Sequence, residues 1–161
     1  LLAAIDNILW WRRPTNQRAT GAGLKATVHR FRGRRGRARL FEMTALASDR
    51  SDAPPESAFR LRFLRAGFPE CRPNERIYDT SGRFLAMPDL QFSKYKMAFD
   101  YEGDHHRTDR AQWRKDLARV PRLQDAGWHH TRLSGDDLAD DRDAIGRARR
   151  TLVARGWSPT R

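Results

Sequence analysis

The chain has 161 residues, 39% hydrophobic and 32% charged, with a formal net charge of +12 and a pI near 11.2. That length suits one domain with an appendage, and recurring apolar segments exclude wholesale disorder. No apolar run approaches a membrane span, no secretory signal is visible, and the single Cys71 excludes an internal disulfide framework or a multi-cysteine zinc site. A cytoplasmic protein with no membrane partner is therefore expected. Because the chain starts at Leu1 rather than Met, a missing upstream domain is among the expectations.

Residues 1–50 hold eleven Arg and Lys against three acidic residues, so most of the net positive charge lies at this end. An excess of this size attracts a polyanion through long-range steering and counterion release. Residues 1–11 read as a short helix stopped by Pro14. Residues 15–34 read as irregular, with a brief strand at 26–31, and 35–47 as helical. Arg34, Arg35 and Arg37, near the start of that last helix, are candidate phosphate contacts. We therefore divide the chain into a basic, mostly helical segment, 1–50, and a principal domain, 51–161.

The run Asp52-Ala53-Pro54-Pro55-Glu56 is a helix-start signature, and Gly67 suits the stop of a helix ending near Ala66. Residues 77–79 and 84–87 read as a β-hairpin. A turn at 91–94 then leads to a strand over 95–102, giving an antiparallel meander of three strands. Asp89 is expected to end the second strand, and Asp100 and Glu102 the third. In that third strand Lys96, Ala98, Asp100 and Glu102 share one face, while Tyr95, Met97, Phe99 and Tyr101 face the core. A helix is expected from Thr108-Asp109 to Ala126, with Pro121 inside it and Gly127 ending it. A strand at 128–133 follows, then a last helix capped by Asp136 and Asp137 and running to Arg155.

A row of carboxylates beside an apolar wall suggests a divalent-metal site, since hard ions take oxygen ligands. Asp89, Asp100, Glu102 and Glu56 supply the acids, and His106 a group able to handle protons near neutral pH. Zinc at His105-His106 with Asp104 is a lesser alternative, because no third nitrogen or sulfur ligand stands at typical spacing, and His129-His130 lies on an expected strand where only alternate residues share a face.

With those residues in view, the chain resembles a family of actinobacterial proteins with a very-short-patch-repair-like (Vsr-like) endonuclease domain of the PD-(D/E)XK fold. The matching residues are Pro55-Glu56-Ser57, Ala66-Gly67-Phe68-Pro69, Asn74, Gly82-Arg83-Phe84 and Pro88-Asp89-Leu90. They continue with Asp100-Tyr101-Glu102-Gly103-Asp104-His105-His106, Asp116, Arg119, Leu123, Ala126-Gly127-Trp128 and Arg132, over roughly residues 50–156. The resemblance implies an α/β (α+β) restriction-endonuclease-like αβββαβα core with a mixed central sheet flanked by helices. It also implies Mg²⁺- or Mn²⁺-dependent cleavage of DNA. Carried over by position, Asp89 is the PD aspartate, Asp100 the first acid of the (D/E)XK element, Glu56 the helix-borne acid and His106 the downstream histidine. The expected metal ligands are Asp89, Asp100 and Glu56, with Glu102 and His106 completing the catalytic set. Lys96, Arg107 and Arg110 join Arg34, Arg35 and Arg37 as expected DNA contacts. The family reads E-Y-D-G where this chain has Asp100-Tyr101-Glu102-Gly103, so the two acid side-chain lengths are exchanged. That exchange motivates a second reading, a nuclease fold without catalysis that binds DNA as a regulator in a toxin–antitoxin or phage-defence system.

Overall fold

The computed structural model describes residues 1–103 and 119–159. It divides into two compact units, Leu1–Ala58 and Phe59–Arg161. Among the described residues no helix is long and apolar enough to cross a membrane.

The first unit contains α1 (Leu2–Leu9), a 3₁₀ turn (Thr15–Gln17), α2 (Gly21–Arg30) and α3 (Arg37–Ala45). Leu2, Ile5, Leu9, Val28 and Met43 are its buried apolar side chains. The strand expected at 26–31 is instead the end of α2. Thr20 caps that helix by accepting the Gly23 N–H at 3.0 Å. Inside it, the β-branched Thr27 satisfies its hydroxyl by donating to the Gly23 carbonyl at 2.9 Å, an arrangement only a helical backbone offers. Asp6 is buried, and it accepts both the Ser48 N–H (2.8 Å) and the Ser57 hydroxyl (2.6 Å). Asp52 gathers the indole N–H groups of Trp10 and Trp11 at 2.8 and 2.9 Å and pairs with Arg12 at 2.6 Å. These two carboxylates explain where much of this unit's acidic charge goes: it is spent internally, while Arg30, Arg32, Arg34, Arg35, Arg37 and Arg39 are exposed.

Helix α4 (Pro54–Arg65) runs from the first unit's sequence into the second's. Gly67 ends it with φ 75°, a left-handed conformation that costs glycine nothing. The second unit is mixed α and β. Its main sheet has four strands in the order β1 (Arg72–Pro73), β4 (Leu90–Phe92), β5 (Met97–Glu102) and β6 (His129–Ser134). Pro73 sits on the edge strand, where its missing N–H leaves no interior ladder bond unmade. Strands β4 and β5 are antiparallel, and β5 and β6 are parallel. The hairpin β2 (Ile77–Tyr78) with β3 (Phe84–Ala86) forms as expected but stands as a separate two-stranded sheet.

The meander therefore needs correcting. The stretch expected as a turn at 91–94 contributes β4 through Phe92, so Asp89 precedes a strand rather than ending one. Ser93–Tyr95 is a short 3₁₀ turn and Lys96 has φ 47°, so the next strand begins at Met97 and excludes Lys96. Leu90-Gln91-Phe92 is too short for its alternation to mark a strand, and Gln91 is buried like its neighbours because both faces are covered.

After the described residues resume, 119–125 are helical (α5), and Gly127 follows with φ 80°. The last helix is two: α6 (Gly135–Ala139) and α7 (Arg142–Ala154). Ser134, not Asp136 or Asp137, is the N-cap of α6, in a capping box with Asp137. The break comes at Asp140, whose carboxylate accepts the Arg142 N–H at 3.2 Å and is held at a pKa of about 2 by its hydrogen bonds from Arg142.

One face of the sheet, through Leu90, Phe92, Met97, Phe99 and Leu133, packs on Phe59 and Phe63 of α4 and on Ala144, Ala148 and Leu152 of α7. The other face carries Ala98, covered by Ile77, Leu85, Ala86 and Leu123. Phe63 is fully buried against Phe59, Phe68, Phe92 and Phe99. Phe63→Ala should therefore destabilise the protein by about 3–5 kcal/mol in denaturant unfolding. Glu75 accepts from Gln91 (2.7 Å), Ser93 (3.0 Å) and Arg72 (3.1 Å). Burial acts to raise its pKa, but those hydrogen bonds outweigh it and the net shift is downward from 4.5. A depressed folded-state pKa gives stability that is complete above the unfolded value and is lost as pH falls through the folded one. Glu75→Gln should flatten that acid limb when unfolding midpoints are measured from neutral to acid pH.

Candidate functional site

The site is built by strand register. Pairing of Leu90 with Phe99, Gln91 with Ala98 and Phe92 with Met97 carries on by one residue to set Asp89 across from Asp100. The backbone there is pinned on both sides. The Asp89 N–H donates to Asp100 Oδ1 at 3.3 Å, the Tyr101 N–H donates to Asp89 Oδ2 at 2.7 Å, and the Asp89 carbonyl accepts the Asn74 N–H at 3.1 Å. No strong twist or bulge at Pro88 is needed to bring the two acids together.

Alternation on β5 puts Asp100 and Glu102 on the face of Ala98, and the strand rises from a buried start to a half-buried Asp100 and an exposed Glu102. Parallel pairing sets Ala98 beside His130 and Asp100 beside Arg132, which brings two more polar side chains onto that face. His130 Nε2 lies 2.6 Å from Asp100 Oδ2, with the histidine side chain only 5% exposed. Arg119, from α5, donates to that same oxygen, and Arg132 pairs with Glu102. Burial pulls the Arg119 guanidinium below the ordinary arginine value, while the Asp89 carboxylate pushes it up and Arg132 pushes it down. The result is a compact polar set: Asp89, Asp100 and Glu102 with the cations Arg119 and Arg132 and the imidazole of His130.

Of the residues singled out from sequence, Asp89 and Asp100 are side by side and Glu102 lies one step along the strand face. Glu56 belongs to the first unit, where it is buried and accepts the Asp52 N–H at 2.8 Å. Lys96 does not share the acids' face. Its ammonium donates to the Ala126 carbonyl at 3.0 Å, closing the C-terminal end of α5, which rules out the geometry in which it stood beside Asp100. Arg34 and Arg35 lie in the connection before α3, Arg37 opens that helix with its guanidinium 5.3 Å from the Phe41 ring centre, and all three are exposed. Asp104, His105, His106, Arg107, Arg110 and Asp116 lie outside the described residues.

His130 is the residue that sequence reasoning missed. His129 and His130 do point to opposite faces, as alternation requires. His129 meets Thr131 at 2.9 Å and has its pKa lowered by burial, by Arg155 and by His130. The register of β5 against β6 is what brings only the second histidine to Asp100. Cys71 packs against the main core, and burial pushes its thiol up to about 12, which leaves almost no thiolate at neutral pH. Among the described residues no group of three or more His, Cys, Asp or Glu is arranged to hold a metal ion. No family model matches this chain, and neither a curated protein nor a solved structure matches it.

Proposed function

We propose that this chain is a metal-dependent DNA endonuclease of the Vsr-like PD-(D/E)XK type, with Asp89 and Asp100 as its metal carboxylates. The observation that carries the reading is the cross-strand meeting of Asp89 and Asp100 at the end of a mixed four-stranded sheet. The element order supports it as well: helix α4, strands through β5, helical 119–125, strand β6, then α6 and α7.

Two carboxylates on neighbouring strands offer the hard oxygen donors that Mg²⁺ and Mn²⁺ take, and Asp100 Oδ2 already collects a guanidinium and an imidazole. When bound, the ion supplies neutralisation of phosphate charge and a lowered pKa for the attacking water. The chain's own residues do the rest. Tyr101 N–H and Asp89 N–H hold the carboxylates in place, and Arg119 and Arg132 bring positive charge to where a phosphodiester would lie. The exposed arginines around α2 and α3 supply sequence-independent attraction to the backbone of DNA.

The second reading, a DNA-binding regulator that has lost catalysis, is favoured by one specific feature: Asp100 and Glu102 are each paired with a cation of the chain itself. A cleavage assay with Mg²⁺ or Mn²⁺ on single-stranded, double-stranded and mismatched DNA separates the two. The endonuclease reading expects cleavage by the unaltered chain and none by Asp89→Ala; cleavage retained by Asp89→Ala overturns the site. DNA binding that weakens steeply with salt, with neither cleavage nor metal binding, favours the regulator.

A further inference from the structure

We infer that His130 is the positioning residue for Asp100, setting the carboxylate's orientation for a divalent cation; this rests on the metal reading above. An aspartate on a strand is not oriented by its own backbone. Its side chain rotates about two torsions, and a carboxylate that must meet a cation in one geometry loses affinity if it has to be ordered on binding. Asp100 is ordered beforehand by two groups carried on rigid backbone. One is the Asp89 N–H on Oδ1 at 3.3 Å, from the residue just before β4; the other is His130 Nε2 on Oδ2 at 2.6 Å, from β6. The carboxylate is thus fixed at both oxygens from the two sides of its own strand.

The imidazole suits this task better than the guanidinium that shares Oδ2. Its side chain is 5% exposed, whereas Arg119 is 23% exposed. It also springs from the second position of a six-residue parallel ladder with β5, so its place is set by backbone hydrogen bonds rather than by a long flexible stem. Groups that orient metal ligands in this way change metal affinity without touching the ion.

The test is calorimetric titration of the full chain with Mn²⁺, alongside thermal unfolding. His130→Phe keeps a ring of similar size but removes the hydrogen bond, and should weaken Mn²⁺ binding by about 10- to 100-fold. His130→Gln returns an amide N–H on a stem long enough to reach Asp100 and should recover most of the affinity. His130→Asn, with the same amide on a shorter stem, should stay weak, and this pair of polar variants carries the comparison if His130→Phe does not fold. A merely structural role would lower the unfolding midpoint and leave Gln and Asn alike. Equal Mn²⁺ affinity in the unaltered chain and His130→Phe, or in Gln and Asn, overturns the inference and leaves the metal reading standing. An unaltered chain that binds no Mn²⁺ overturns both.

Discussion

The hydrogen-bonded ladder that joins β4, β5 and β6 is the constraint on which the second unit depends. It does two jobs with one register. On one side it presents Leu90, Phe92, Met97, Phe99 and Leu133 as a continuous apolar surface for α4 and α7. On the other it lines up Asp89, Asp100, Glu102, His130 and Arg132, residues from three strands separated by up to several tens of positions in the chain. Because side chains alternate, a slip of one residue would turn the acids into the phenylalanine core and the phenylalanines out to water. The large apolar stake in the correct register therefore also secures the polar site, without any polar interaction having to be strong.

Charge is managed differently in the two units. In the first, Asp6 and Asp52 are consumed by backbone, hydroxyl and indole donors, which organise the fold from within and leave the arginines outside. In the second, carboxylates and cations are brought together at the end of β5, where burial decreases along the strand. The Glu102–Arg132 pair there is about half exposed, so it forms without the full desolvation cost of a buried one, while Asp100 and His130 lie deeper.

Helices and turns with strong local chemistry were legible beforehand. The Pro54-Pro55-Glu56 start, the glycines at 67, 82 and 127 and the hairpin around Ser81-Gly82 each announce themselves through φ preferences or capping that need no tertiary partner. Elements whose identity depends on burial were not. Thr27 and Val28 suggest a strand, yet the Thr20 cap and the burial of Val28 make a helix. Leu90-Gln91-Phe92 alternates for only three residues, and nothing local shows that Gln91 is buried as deeply as its neighbours. The interruption at Asp140 depends on an Arg142 contact that competes with helix continuation.

For the site, the sequence alone determined which residue types were available: acids at 89, 100 and 102, an alternating strand, and a basic chain around them. It also determined that Met97, Phe99 and Tyr101 turn inward, since alternation is a local property of extended backbone, whereas Tyr95 reaches the core from a 3₁₀ turn. Which strands are neighbours is not local. Only the tertiary structure decided that Asp89 stands across from Asp100, that Lys96 closes a helix end instead of joining them, and that His130 meets the acid while His129 does not. The physical reason is that pairing and register are chosen by how the whole apolar face packs, and a short stretch of sequence carries no record of its partner strand.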